Sequence, residues 1–288
     1  MRCYSFRNPS HYMNKIGCIL FMFCCTVNKL QAQNETILSS DTSKKVVPVV
    51  IANVPEKVKP PKPIVTEFSM GMRGISDGWG VYFNYGKAKT NDMKRVDMFH
   101  NQLFWEFEIT EKYHPKEHKI TSAVPSATGG TRSFKYGKIN NFYTLNIGTG
   151  YQKLIAGKPD QGSVSIHWVN TLDFSLGLLK PYYIYLTNYT DPIKYSDDNQ
   201  NEFLPKTAGS IAGGAGFSKG FNEMVFIPGG SLKTSFRFDF ATDKRSVLGL
   251  EVGGGIDYYS QQVKLMANQD AQDIFYTLFF KVGIGRRW

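Results

Sequence analysis

Residues 274–288 read IFYTLFFKVGIGRRW. Ile274, Tyr276, Leu278, Phe280, Val282 and Ile284 share one parity, while Thr277, Lys281, Gly283, Gly285 and Arg287 share the other. Successive side chains of a strand point to opposite faces, so this alternation predicts a long strand with one greasy side and one polar or small side. The stretch closes on an aromatic residue, Trp288.

The same period-two pattern recurs upstream from Thr66, in a region rich in Gly and aromatics. Phe68, Met70 and Met72 oppose Glu67, Ser69, Gly71 and Arg73, and after Ser76-Asp77-Gly78 the residues Trp79, Val81, Phe83 and Tyr85 oppose Gly80, Tyr82, Asn84 and Gly86. Leu103, Trp105, Phe107 and Ile109 oppose Glu106, Glu108 and Thr110; Tyr143, Leu145, Ile147 and Tyr151 oppose Thr144, Asn146, Gly148 and Gly150. A fifth strand sets Val164, Ile166, Trp168, Leu172, Phe174 and Leu176 against Ser165, His167, Thr171, Asp173, Ser175 and Gly177. A sixth sets Leu232, Phe236, Phe238 and Phe240 against Lys233, Ser235, Arg237 and Asp239. A seventh sets Leu248, Leu250, Val252, Ile256 and Tyr258 against Gly249, Glu251, Gly253, Gly255 and Asp257, and residues 274–288 are the eighth.

So many large rings cannot fit inside an eight-stranded barrel, whose interior is only wide enough for packed side chains. They are expected to face outward into lipid, and closure removes the sheet edges that hydrocarbon cannot solvate. The fold class predicted is all-β: a closed antiparallel transmembrane β-barrel of eight strands. Ten is the alternative if residues 178–187, where Leu178-Leu179 breaks the alternation and Pro181 lacks a ladder donor, form a separate strand paired within residues 224–227. The polar face then lines the lumen, where Glu67, Arg73, Glu106, Glu108, His167, Asp173, Lys233, Arg237, Asp239, Glu251, Asp257 and Lys281 are expected to pair into a charge network that plugs it. Trp79, Tyr143, Tyr151, Trp168 and Trp288 are candidates for interfacial girdles.

With an even strand count both ends of the barrel lie on one side, the periplasmic side if insertion proceeds from there. Residues 112–138, 188–230 and 261–272 then become long outer loops, and 154–162 and 242–246 short inner turns, with 89–98 a somewhat long inner connection. A last strand with an apolar face and a terminal aromatic resembles the C-terminal strand of small bacterial outer-membrane β-barrel proteins, the OmpA/OmpX-like class. That resemblance covers residues 66–288. It implies that Tyr276, Leu278, Phe280, Val282, Ile284 and Trp288 act as an insertion signal for the barrel-assembly machinery, and that the chain resides in the outer membrane.

The N-terminus supports export. Arg2, Arg7 and Lys15 precede an apolar run over residues 16–27, followed by Leu30-Gln31-Ala32, so residues 1–33 read as a signal peptide cut near Ala32 or Gln33. The run is too short for a spanning helix, which needs ~20 apolar residues. Met13-Asn14-Lys15 is an alternative start to Met1. Cys3, Cys18, Cys24 and Cys25 all fall in this segment, so the mature chain is expected to lack thiols, disulfides and Cys-based metal sites. The segment also contains Arg2, Arg7, Lys15 and Lys29 and no acid, so its removal lowers the charge from +10 to +6. An exported chain does not meet nucleic acid routinely, and the balance suits lipopolysaccharide phosphates or solubility. Residues 34–65, with Pro48, Pro55, Pro60, Pro61 and Pro63 among lysines, read as an extended periplasmic linker.

No motif commits the chain to catalysis. His114 and His118 have zinc-like spacing, but Pro115 between them works against a shared helical face. His167, Asp173, Ser165 and Ser175 are the residue types of a hydrolytic triad without a nucleophile elbow. The Gly-rich stretch 213–220 lacks the order of a phosphate loop. No catalytic, metal or cofactor-binding residue is assigned and no cofactor is expected. The sequence therefore points to a non-enzymatic outer-membrane barrel, acting as a structural, binding or envelope-assembly component. It would engage outer-membrane lipid, lipopolysaccharide or an envelope protein through loops 112–138 and 188–230. A lipid-modifying barrel enzyme and a small-solute channel are the alternatives.

Overall fold

The computed structural model describes residues 64–88, 101–122, 124, 132–158, 162–187, 190–205, 210–243 and 245–288. The expected signal peptide, nearly all of the linker and the inner connection 89–98 lie outside these residues. Eight long strands form the wall: β1 (Thr66–Ile75), β2 (Gly78–Ala88), β3 (Asn101–Lys112), β6 (Asn140–Ala156), β7 (Ser165–Pro181), β11 (Val225–Asp239), β12 (Ser246–Val263) and β13 (Gln272–Arg287). Between them run the short strands β4 (Lys119–Thr121), β5 (Ser133–Lys135), β8 (Tyr183–Leu186), β9 (Ile193–Lys194) and β10 (Ile211–Gly214), with a one-turn helix α1 (Gln200–Phe203).

The wall is a closed antiparallel barrel in the order β1-β13-β12-β11-β7-β6-β3-β2. Closure is made by the two ends of the domain. The Trp288 carbonyl accepts the amides of Val65 at 3.1 Å and Thr66 at 2.9 Å, and the Trp288 amide donates to the Thr66 carbonyl at 3.0 Å. Paired residues can be followed from Met70 through Phe83, Phe107, Ile147, Phe174, Gly230 and Tyr258 to Ile274, yet Met70 itself pairs with Ile284 on that strand. The offset from 274 to 284 is a shear of ten, which with eight strands tilts them by ~40°.

Alternation sorts the side chains as pleating requires. Phe68, Met72, Trp105, Leu172, Phe174, Leu232, Phe236, Tyr276, Leu278 and Phe280 lie exposed on the outside, while Glu67, Arg73, Glu106, Glu108, Lys233 and Lys281 are buried inside. A surface so apolar across every strand of a closed sheet is that of a transmembrane barrel.

The expected count of eight holds and the ten-strand alternative falls: residues 178–181 continue β7, while 183–186 form β8, which pairs with β9 and β10 in a separate three-stranded sheet beyond the barrel. One expectation about the wall strands changes. The sixth wall strand starts at Val225 rather than near Leu232, taking Pro228-Gly229-Gly230 into β11. Pro228 is tolerated because β11 pairs with β12 only from Gly229 onward, so at Pro228 the strand has a local free edge.

Inward glycines make room for the interior rings. A Cβ on Gly150 would collide with the Phe104 ring, and one on Gly283 with the Tyr82 hydroxyl.

The long loops expected on the outer side fold together. β4 pairs with β5, and the Ser122 hydroxyl donates to the Ile211 carbonyl at 2.7 Å, tying the first long loop to the second. The third joins through Ile139 N–H to the Leu265 carbonyl at 2.9 Å and Ala267 N–H to the Gly137 carbonyl at 2.8 Å. Phe134, Ile139, Ile184, Leu186, Phe203 and Ile211 form the apolar core of this cap.

Candidate functional site

The interior of the barrel gathers the charges in three tiers. At the inner end Glu67 accepts from Arg237 Nη2 and Arg287 Nε, each at 2.8 Å. Arg287 also pairs with Asp239, which Lys158 approaches at 3.4 Å, and the Gln152 side-chain carbonyl accepts from Arg237 Nη1 at 3.0 Å.

In the middle tier Glu106 accepts from Lys233 at 2.6 Å and Lys281 at 2.7 Å. Glu108 pairs with Arg73 and accepts from Lys233 at 3.0 Å and from the Thr110 hydroxyl at 2.8 Å. Lys233 also reaches Asp173 at 2.8 Å, and Glu251 lies 3.8 Å from Lys281 while accepting from the Ser235 hydroxyl at 2.6 Å. Toward the outer end Lys112 bridges Asp257 at 2.6 Å and Asp77 at 3.2 Å.

Isolated charges in such a place would be prohibitively costly. Here each carboxylate faces at least one cation, and alternate positions on β3, β11 and β13 provide the reach, since Glu106 and Glu108 meet Lys233 and Lys281 from across the barrel.

Rings line the interior as well. The Arg73 guanidinium lies 4.2 Å from the Phe279 centroid, Lys281 Nζ 5.0 Å from Tyr82, and Lys112 Nζ 4.9 Å from Phe275. Phe142, Ile227, Tyr259, Val263, Leu265 and Phe275 pack above the outermost ion pairs at the mouth, with Phe142 and Tyr259 edge-on at 5.0 Å. A small cavity of about 10 Å³ lies beside Ser69, Asn84, Arg237 and Glu251, room for about one water.

All twelve residues named for the lumen are buried in the barrel interior. Lys112, Asp77, Arg287 and Gln152 were not named but belong to the same arrangement. Lys112 has the parity of Glu106, Glu108 and Thr110, and Arg287 that of Lys281, so alternation puts both on the inward face even though the expected network did not include them. Phe104, Phe275 and Phe279 occupy inward parity too, and the polar face is therefore less purely ionic than its Gly, Ser and acidic content suggested.

The other candidate chemistry is not assembled. Asp173 is engaged by Lys233, and His167 sits six residues away along β7, ~20 Å on an extended strand. His114 Nδ1 accepts the Lys116 amide at 3.1 Å, and among the described residues no group of three His, Cys, Asp or Glu side chains is placed to hold a metal. The stretch 213–220 contributes Gly213 and Gly214 to β10, and only one 3-10 turn (Phe221–Glu223) follows it.

In the cap, Glu117 binds both Lys135 and Lys138, with Lys138 Nζ at 2.8 and 2.9 Å from its two oxygens. Burial pushes the Lys138 ammonium down to about 8, with Glu117 opposing the shift. On the outer wall, Phe217 and Phe221 stack edge-on at 5.1 Å and cover Lys180, whose Nζ lies 4.4 and 4.5 Å from the two rings. The six residues named at the C-terminal strand, Tyr276, Leu278, Phe280, Val282, Ile284 and Trp288, are all exposed on the outer face. Of the girdle candidates, Trp79 donates to Glu111 at 3.1 Å near the outer end and Trp168 to the Thr234 hydroxyl at 3.0 Å near the inner end.

The closed register, apolar wall and ionic interior define a small eight-stranded transmembrane barrel of the type the C-terminal strand resembled. No family model matches the chain, and no curated protein matches it. Among solved structures, Neisserial surface protein A is similar over 79% of this chain and 98% of its own, at 9% identity and a TM-score of 0.37. The attachment invasion locus protein Ail of Yersinia pestis is similar over 79% of this chain and all of its own, at 8% identity and a TM-score of 0.34. Its complex with the heparin analogue sucrose octasulfate gives 9% identity and a TM-score of 0.33 over 78% and 97% of the two chains.

Proposed function

We propose that this chain is a non-conducting, non-enzymatic protein of the bacterial outer membrane whose folded cap engages an envelope component or surface ligand. The observation that carries this reading is the filled interior. Ion pairs such as Arg73 with Glu108 and Lys233 with Glu106 occupy the lumen, and the cluster of Phe142, Tyr259 and Phe275 lies across its mouth. Water-filled barrels use more strands to leave an open core, so the charge network acts as a plug and a stabiliser rather than as a selectivity filter.

The outer membrane is favoured because only closed barrels and helices span bilayers, and such barrels are of the outer-membrane type. The basic, apolar segment over residues 1–33 supplies the export signal, and residues 34–65 a periplasmic tether. The exposed apolar side of β13 with Trp288 serves as the signal read by the barrel-assembly machinery. The cap, built largely from residues 112–138 and 188–230, is the binding surface, because functional contacts concentrate on loops held by a rigid scaffold. Its partner is lipopolysaccharide, outer-membrane lipid or a protein of the envelope, not nucleic acid.

Conductance across a planar bilayer tests the reading directly. The refolded chain is expected to give no resolved channel steps under conditions where a large-pore barrel conducts, and stable openings would overturn it. Cell fractionation should place the mature chain in the outer membrane, with protease added to intact cells cutting in the cap.

A further inference from the structure

The inner rim of the wall has an uneven distribution of charge. Lys87 on β2, Lys153 on β6 and Arg286 on β13 have the outward parity of Tyr85, Tyr151 and Ile284, and all three are exposed. At ~40° tilt a step along a strand is ~2.5 Å of height and a step to the next strand ~3 Å, so the register brings the three to within ~3 Å of one level. They lie on every second strand of the contiguous arc β13-β1-β2-β3-β6, and Asn101 on β3 pairs directly with Lys153 between the two lysine-bearing strands. Exposed Tyr85, Leu103 and Tyr151 lie one outward position further into the apolar band, with Trp105 beyond Leu103.

Among the described residues no side-chain carboxylate offsets this arc. Among the described residues none of the three cations has an acidic partner, and Asp243 lies in the β11–β12 turn, beyond the strand ends. The remaining wall, β12-β11-β7, is apolar at the same level, with exposed Leu248, Phe240 and Trp168. The outer end differs in kind. Its outward positions include Glu111, Ser260, Gln262 and Gln272, and its cation Lys180 is sealed under Phe217 and Phe221 with an N–H donated to the Phe217 carbonyl. Glu111 stands ~25 Å above the cation arc, the height of the apolar band of a membrane barrel.

We propose that Lys87, Lys153 and Arg286, with Asn101, form a docking arc for the phosphates of anionic phospholipid headgroups in the inner leaflet. The chemistry selects the occupant. Three exposed cations at headgroup depth, with no acidic side chain beside them among the described residues and with aromatic rings that favour the interface nearby, suit a negatively charged lipid surface. The arc fixes the depth of the barrel and turns one side of it toward anionic lipid. This rests on the orientation given above, in which the chain ends mark the periplasmic side.

The test uses the full mature chain in nanodiscs of mixed phosphatidylglycerol and phosphatidylcholine, with native mass spectrometry of the lipids it retains. The wild type should retain phosphatidylglycerol preferentially, and Lys87→Gln/Lys153→Gln/Arg286→Gln should reduce that preference on the order of tenfold. Lys116→Gln/Lys119→Gln/Lys264→Gln, which removes cations from the cap, should leave it unchanged. Equal retention of the two lipids by the wild type, or an unchanged preference in the inner-rim variant, overturns the arc. Circular dichroism and heat-modifiable migration on the same samples separate the two readings. An inserted barrel without lipid preference sinks only this inference, whereas failure to insert in any bilayer sinks the membrane assignment as well.

Discussion

Glu108 in the barrel and Phe134 in the cap are both shielded almost completely from solvent, and their surroundings are opposite in kind. Glu108 is enclosed by Arg73, Lys233 and Thr110, whereas Phe134 packs among Ile139, Ile184, Leu186, Phe203 and Ile211. One polypeptide thus folds inside-out in its wall and in the ordinary sense in its cap. The solvent on the far side decides which. The wall spends its apolar side chains on hydrocarbon and must put polar ones inside, while the cap faces water and keeps its apolar side chains for its own core.

The sharpest way to break this contrast is to remove one charge from the barrel. Glu108→Leu leaves Arg73 and strips Lys233 of one of its acids, and breaking a buried pair from one side costs about 3–5 kcal/mol. Urea unfolding of the variant in detergent micelles should show that loss. Adding Arg73→Leu should recover much of it, because two facing apolar side chains no longer carry an uncompensated charge. A Glu108→Leu variant as stable as the wild type would mean that the interior is wet enough to screen its ions.

Phe134→Ala asks the same of the cap. Truncating a buried aromatic side chain costs about 3–5 kcal/mol where the site cannot collapse. Here the loss should stay local, so limited proteolysis should cut within residues 113–138 and 188–224 faster while the barrel keeps its heat-modifiable migration. Loss of the barrel along with the cap would show that the two regions fold as one unit.

Leu278→Arg tests the outward face of the wall, where Leu278 is exposed beside Gly254 on the paired strand. A cation on the lipid side of a barrel costs up to about 2–4 kcal/mol, most at mid-depth and less toward either interface. The same variant measured against Lys281→Leu, three residues away and inward, should show that each face rejects the other's chemistry. Indifference to Leu278→Arg would argue that the face meets water.

The two regions were not equally legible in the sequence. Parity gave the wall, because a residue such as Glu106 between Trp105 and Phe107 has only one side to go to, and its inward placement follows once the rings are outside. Parity also contains Lys112 and Arg287, but they stand at strand ends, where the alternation has fewer neighbours to define it and a place in the ionic network is harder to read. The cap was opaque for a different reason. Its strands are two to four residues long, too short for periodicity, and its core is assembled from three loops far apart in sequence, joined by contacts such as Ser122 to Ile211 and Ile139 to Leu265. Tyr182-Tyr183-Ile184-Tyr185-Leu186 is therefore open in the sequence between the top of one wall strand and a separate wall strand, whereas Ile184 and Leu186 turn into the cap core.

The smallest expected effect concerns the ion triad in that cap. Lys138 is buried against Glu117 together with Lys135, and its ammonium is lowered from 10.5 to about 8. The folded cap therefore binds this proton less tightly than the unfolded chain does. Between pH 8 and 10.5 the unfolded state holds the proton while the folded state has released it, so cap stability should rise with pH across that window, by on the order of 1–3 kcal/mol. Lys135 is shifted the other way, upward, because its pairing with Glu117 overcomes the cost of burial, and its stabilising contribution is lost only as pH rises further. Hydrogen exchange of the amides in residues 132–139, corrected for intrinsic rate, should therefore slow from pH 8 to 10. Lys138→Met should flatten that dependence while leaving exchange in β11 and β12 untouched. A cap whose protection falls steadily over the same range would show that the Glu117 pairings outweigh the cost of burying Lys138, and that even this water-facing region keeps its buried charges for stability, as the barrel does.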